Sequence, residues 1–351
     1  MQQILALTAT VLALLVVAGG ASIAQDINDE PLHEKWAPTE WGPDDKVGAP
    51  NRTTPEMVLK ATGLVKKGKV ATLGKIYAAD APAFGTRRWN LFIPMSGPPA
   101  GPQKLVGNVE YVTAELGQIG TQFDGPGHIG INTSKGRFHY NGRFMHDKGI
   151  GPSGLGPLGV EHVAEVGFVC RGVLLDAVAL RGAELPVPKE NSASDPGIIT
   201  PKDVEEMVKR QGIAPIAEGD CVFLYTGHGN IWHPKDWDTY DAAEKAKRVA
   251  QFNAGEPGFG ISACEYLAER KVILTGADTW AVEAVGKGFG GENPQPFECH
   301  IKLQTKRGIW NMENLNLNQL VADKAYEFLF VWSPLKMKGA TGSPGNPVAL
   351  Y

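Results

Sequence analysis

The sequence predicts an α/β protein built as a single domain around a mixed sheet. Three observations carry that expectation. Capped amphipathic segments each precede a short apolar, β-branched run. Those runs are bounded by Gly or Asp, as buried central strands are. No repeat, heptad or low-complexity linker interrupts the 351-residue chain after its first two dozen residues.

The helices announce themselves by their ends. In TTPEMVLKATGLVKKG, Thr54 is a cap, Pro55 stands at the first helical position, Val58, Ala61 and Val65 share a side, and Gly68 is the stop. TPKDVEEMVKRQG repeats the design from Thr200 to Gly212, with Asp203 three residues after the cap. In SACEYLAERK, Ser262 and Glu265 have the spacing of a capping box. The strand candidates are VATLGKIY from Val70, VGFVCRGVLLDAVAL from Val166, DCVFLYTG from Asp220 and KVILTGADT from Lys271. Residues 80–160 and 228–260, rich in Gly, Pro and Trp, read as long loops, where function usually resides.

Composition sets outer bounds. With 43% hydrophobic and 21% charged residues, the chain can bury a sizeable core. A formal net charge of −4, without long runs of one sign, leaves no basic footprint for nucleic acid, so small molecules are the expected partners. ILALTATVLALLVVAGGASIA, Ile4 to Ala24, reads as an export signal: it is apolar, shortens into Gly19 and Gly20, and ends on the small pair Ser22 and Ala24. Residues 1–24 are therefore expected to be a signal peptide and 25–351 the mature domain. The product would be periplasmic or secreted, with no stable membrane association after cleavage. The n-region carries no Lys or Arg. Cys170, Cys221, Cys264 and Cys299 show no CxxC spacing and read as buried free thiols, with a disulfide as the alternative.

GQIGTQFDGPGHIG, Gly117 to Gly130, packs five glycines around two Gln, an Asp and a His. Neither a helix nor a core strand suits that glycine content. A turn at Gly125-Pro126-Gly127 would bring Asp124 and His128 toward one point, with Gln118 and Gln122 adding amide oxygens from the strand before it. Converging O and N donors of this kind suit a metal or a substrate carbonyl. A glycine-rich turn whose Asp merely accepts backbone N–H bonds would produce the same spacing.

GQIGTQFDGPGH resembles the signature of the cyclase family of metal-dependent hydrolases, which includes kynurenine formamidase and isatin hydrolase, with the pattern His-x-Gly-Thr-His-x-Asp-x-Pro-x-His. The blocks from Trp41, Arg171 (RGVLLD), Gly219 (GDCVFLYTG), Tyr266, Cys299 (CHIKLQTKRGIWNMENLNL) and Gly339 (GATGSPGNPVA) are similar to the family's as well. The resemblance implies a β/β/α, swivelling-type fold and a homodimer or larger assembly. It places Asp124 as a metal-binding carboxylate, His128 as the catalytic histidine, and Gln118 and Gln122 where the pattern has two metal-binding histidines, as in a longer branch of the family.

Further metal ligands in the family come from a His and a Glu later in the chain, for which His228, Glu256 and Glu265 are candidates. Glutamine is a neutral, hard oxygen donor, so the substitution shifts the expected cation from zinc toward manganese, magnesium or calcium. Without a metal, Gln118 and Gln122 could donate N–H to a substrate carbonyl while Asp124 orients His128 as general base. Phe123, His228, Trp232 and Trp280 are candidate substrate-binding residues, with Trp89, Trp237 and His139 as further candidates for the pocket. His300 and Asp278 read first as structural hydrogen-bonding groups. The expected activity is hydrolysis of a cyclic amide, lactone or formamide by activated water. The alternative is a periplasmic small-molecule binding protein that kept the fold without catalysis.

Overall fold

The structure, a computed structural model, describes residues 36–351 except 96, 98–100, 134, 146–153, 191, 233–234 and 287–296. The expected signal peptide, with His33, His146 and His233, lies outside the described residues. Among those described, no helix is long and apolar enough to cross a membrane.

Nine strands form one mixed sheet, numbered here in chain order: β1 (Val70–Thr72), β2 (Gln122–Asp124), β3 (Phe168–Asp176), β4 (Cys221–Tyr225), β5 (Leu274–Ala277), β6 (Trp310–Glu313), β7 (Glu327–Trp332), β8 (Gly342–Pro344) and β9 (Val348–Leu350). Their order across the sheet is β1-β9-β7-β3-β4-β5-β6-β2-β8. The four central strands β3, β4, β5 and β6 run parallel, and every flanking pair is antiparallel. All five residues of β4 are buried, as is fitting for a strand covered on both faces. The architecture is the single α/β domain with a mixed sheet that the sequence predicts.

Helix α1 (Pro55–Thr62) starts as expected, the Thr54 hydroxyl accepting from the Met57 N–H. It stops at Gly63 instead of Gly68, whose φ of 66° turns the chain toward β1. Helix α2 (Pro201–Gln211) has the full reciprocal cap between Thr200 and Asp203 and ends on a left-handed Gly212. The stretch 228–260 is not all loop: it contains α3 (Ala242–Phe252), capped by Asp241. Helix α4 (Ile261–Glu269) corrects the Ser262 capping box. Its N-cap is Gly260, held extended by a 2.8 Å bond to the Ile199 carbonyl, so Ser262 is already inside the first turn. Glu265 pairs instead with Lys302 at 3.1 Å. Residues from Ala177 to Arg181, read as the end of a strand, form a short helix capped by Asp176.

The cysteines are also corrected. Cys170 bonds Cys221 between neighbours β3 and β4, and Cys264 on α4 bonds Cys299. The partners lie 51 and 35 residues apart, so only the tertiary fold brings each pair within bonding distance.

Candidate active site

Strand β2 is the backbone of the site. It lies between β6 and β8, with Gln122 opposite Glu313 and Asp124 opposite Asn311. Alternation along the strand sends Gln122 and Asp124 to one face and Phe123 to the other. Phe123 is fully buried against Phe168 and Trp332, a core residue where the sequence suggested a substrate contact.

Beyond β2 the chain turns sharply. The His128 N–H donates to the Gly125 carbonyl at 3.0 Å, which brings the imidazole back over the strand, Nε2 3.7 Å from Asp124 Oδ2. Two glycines are dictated by crowding. A Cβ on Gly125 would lie 2.9 Å from the Thr341 carbonyl oxygen, and one on Gly130 would lie 2.5 Å from that of Phe138 and 2.6 Å from the His139 ring. At both positions neighbouring atoms pass too close for a side chain.

His300 completes the cluster. Its Nδ1 is 2.9 Å from Glu283 Oε1, and its Nε2 lies 3.2 Å from Glu313 Oε1 and 3.4 Å from Asp124 Oδ2. Gln118 donates Nε2–H to Asp124 at 3.0 Å, and Gln122 donates to Glu313 at 2.8 Å. A five-residue π-helical turn, Ile301–Thr305, follows His300. From it the buried Gln304 faces Asp124 with its Nε2 3.5 Å from Oδ2, and Thr305 Oγ1 donates to the Ile129 carbonyl. Nearby, Glu256 is fully buried, its carboxylate accepting the backbone N–H of Trp280 and of Ala281.

The charges divide the cluster into distinct roles. Burial alone would raise the Asp124 carboxyl, but the His128 and His300 imidazoles outweigh it and hold Asp124 below the usual carboxylate range. Burial and the neighbouring Asp124 charge push Glu313 the other way, up to about 8. Burial disfavours a charged His300, yet Glu283, Asp124 and Glu313 together keep it protonated well above the ordinary histidine range. His128 is lowered, because burial outweighs the pull of Asp124. Its side chain is 17% exposed, against 2% for His300, so His128 is the imidazole that solvent reaches.

One ligand atom each from Asp124, His128 and His300 lie within 4.8 Å of one another. Carboxylate oxygen and imidazole nitrogen suit a divalent cation of the zinc, manganese or iron type. The surroundings fit one too: buried Asp124 and Glu283 bracket the His300 imidazole at Nε2 and Nδ1, an arrangement that favours positive charge. Glu283 on Nδ1 leaves Nε2 of His300 directed at Asp124, the carboxylate–histidine arrangement that orients a ligating ring. Gln118 and Gln122 reach the site, but as N–H donors to the carboxylates, where the sequence suggested oxygen ligands.

The other candidates fall elsewhere. His228 is buried beside Lys75, its Nε2 without a hydrogen-bond partner, and burial together with Lys75 pushes it down to about 4. The Lys75 ammonium also lies over the Trp232 ring, 5.3 Å from its centre. Trp280 stacks on Phe84 at 4.3 Å, and Phe297 joins that aromatic cluster to His300. Asp278 has the structural role expected, accepting from Thr226, Gly227 and Gly229. Trp89 packs on Tyr77, and Trp237 lies under Lys245. Burial, with the Arg137 charge nearby, pushes His139 down to about 4. Sequence reasoning missed Glu283, Gln304 and Glu313, and gave His300 a lesser part. The signal was the CHIKLQTKRGIWNMEN block, which holds His300, Gln304 and Glu313 together.

Comparison with known proteins bears on the family and the fold. A family model described as "Putative cyclase" matches residues 38–284. Among solved structures, a novel cyclase is 28% identical, with a TM-score of 0.73 over 90% of this chain and 97% of that one. Isatin hydrolase A from Labrenzia aggregata, bound to benzyl benzoate, is 21% identical, with a TM-score of 0.52 over 82% and 94% of the two chains. An isatin hydrolase bound to the product analogue thioisatinate is 17% identical, with a TM-score of 0.54 over 85% and 99%. No curated protein matches the sequence. With most of its length under the family model and its fold shared with these structures, the chain belongs to the cyclase family.

Proposed function

We propose that this protein is a hydrolase that opens a cyclic amide or lactone, or cleaves a formamide, with activated water. The observation that carries the reading is a solvent-reached imidazole, His128, kept from protonation by burial and set against a buried, ionised Asp124. Such an imidazole can take a proton from water as the carbonyl is attacked and return it to the leaving nitrogen or oxygen. Asp124 orients His128, and the N–H groups of Gln118 and Gln122 hold Asp124 and Glu313 in place. The isatin hydrolases that share the fold support a hydrolytic role.

Asp124 and His300, once the His300 ring gives up its Nε2 proton, would hold a divalent cation, leaving the partly exposed His128 for proton transfer. When bound, the cation polarises the carbonyl and makes water more acidic. The ion we propose is manganese in preference to zinc, because glutamines occupy two positions where imidazoles would favour zinc. Titration of the apo-protein tests this. Gln118→His with Gln122→His is expected to raise zinc affinity sharply, and zinc binding by the unmutated protein as tight as by the double variant would remove the explanation.

A screen of cyclic imides, lactones and formamides, with manganese restored, tests the activity. Turnover on one class identifies the substrate, and binding without turnover on any would point to a small-molecule binding protein instead. We also propose that the protein is exported. The N-terminal apolar run and the two disulfides support this, since disulfides persist in oxidising compartments. The intact mass of the mature protein is expected to correspond to a start at or near Gln25, and full-length chain confined to membranes would refute cleavage.

A further inference from the structure

The segment that carries His300 is assembled from conformations that the local sequence does not favour. Phe297 has φ 68° and ψ 20°, the left-handed region, which a bulky residue rarely adopts. A three-residue helical turn, Glu298–His300, follows, and then the π-helical turn Ile301–Thr305. Conformations of this kind persist only where surrounding structure imposes them.

Here the surroundings are specific. Cys299, next to His300 in the chain, is bonded to Cys264 in the buried part of α4. One residue further along α4, Glu265 pairs with Lys302 at 3.1 Å. Helix α4 is itself fixed, through Gly260 bonded to Ile199 and through Ala263, Cys264 and Leu267 in the core. The opposite side of the segment touches the site: His300 meets Glu283 and Asp124, and Thr305 holds the Ile129 carbonyl beside His128.

We infer that the Cys264–Cys299 disulfide is a positioning element of the site, clamping the His300 turn to α4 so that the imidazole faces Asp124 and Glu283. The inference rests on the reading of Asp124, His128 and His300 as the functional site. The other disulfide supplies an internal control. Cys170 and Cys221 join strands already paired in the sheet, and neither is adjacent in sequence to a residue of the cluster.

The test compares Cys264→Ala/Cys299→Ala with Cys170→Ala/Cys221→Ala in the full-length, metal-free protein, by hydrogen exchange and by the ring-nitrogen resonances of His300. In the first pair, exchange in 297–305 and 125–130 is expected to rise about tenfold or more, and the His300 resonances to move. Manganese affinity is expected to fall about 10- to 100-fold, as when the support of a ligand is lost. The second pair is expected to leave all three readouts unchanged. Should the first pair not fold, Cys264→Val/Cys299→Ala refills the bonded volume and is read in the same way. Unchanged protection of 297–305 with unmoved His300 resonances in a folded variant overturns the inference. If those signals change as stated while no substrate is turned over, the hydrolase reading falls and the positioning role stands.

Discussion

His128→Ala is expected to lower kcat by roughly two to four orders of magnitude, the usual consequence of losing a general acid–base group, with the fold intact. The expectation follows from the position of His128: its side chain is partly exposed at the end of a tight turn and faces Asp124 at 3.7 Å. Truncation there removes little packing, so circular dichroism and the denaturation midpoint should stay near those of the parent. His128→Asn retains a polar side chain of similar reach without a group that titrates near neutrality, and it should be almost as inactive. Measurement uses whichever member of the imide, lactone and formamide panel responds. Parent-like turnover in a folded His128→Ala protein would make the histidine structural and return the proton-transfer role to another group.

The second large effect belongs to stability. His300→Ala would leave Asp124 and Glu283, with Glu313 beside them, around an empty space with the imidazolium gone. Removing one member of a buried charge cluster typically costs about 3–5 kcal/mol, because the remaining charges lose their compensation without regaining water. Urea denaturation in the presence of a chelator should show that loss. Adding Glu283→Gln to His300→Ala should recover part of it by neutralising one stranded carboxyl. A His300→Ala protein as stable as the parent would mean that water or a rearranged side chain compensates the carboxylates, and the electrostatic account of the cluster would fail.

The two histidines also show how much of the site was legible in the sequence. Asp124 and His128 could be found because they lie four apart around a Gly-Pro-Gly turn, and a turn is a local object whose geometry follows from residue type. Their partners could not be found in that way. Glu313 reaches Gln122 through strand pairing between β6 and β2, and Glu283 reaches His300 across a segment that no periodicity describes. Register and loop path are tertiary facts. The same division runs through the fold: Thr54 and Thr200 marked helix starts correctly because a cap acts within one turn. Ser262 did not, because Gly260 is fixed by the Ile199 carbonyl and the helix begins there. Phe123 looked like a pocket residue by its place in the motif, and alternation along β2 turned it into the core. The disulfides were invisible for the same reason as Glu313, since chain separation says nothing of which buried thiols meet.

The order of strands in the sheet has a consequence for how the chain must be made. Strand β2, which carries Asp124, is flanked only by β6 and β8, and β1 is paired only with β9. Each of these neighbours lies far downstream, the last of them within the final ten residues described. A growing polypeptide therefore emerges with these two early strands of the sheet unpartnered, and it cannot complete either flank of the sheet until β8 and β9 have been made. Long-range pairing of this sort folds slowly, since distant segments must meet before any contact rewards the closure. A sheet that stays open until β8 and β9 arrive leaves the chain threadable for longer, which accords with the export proposed above.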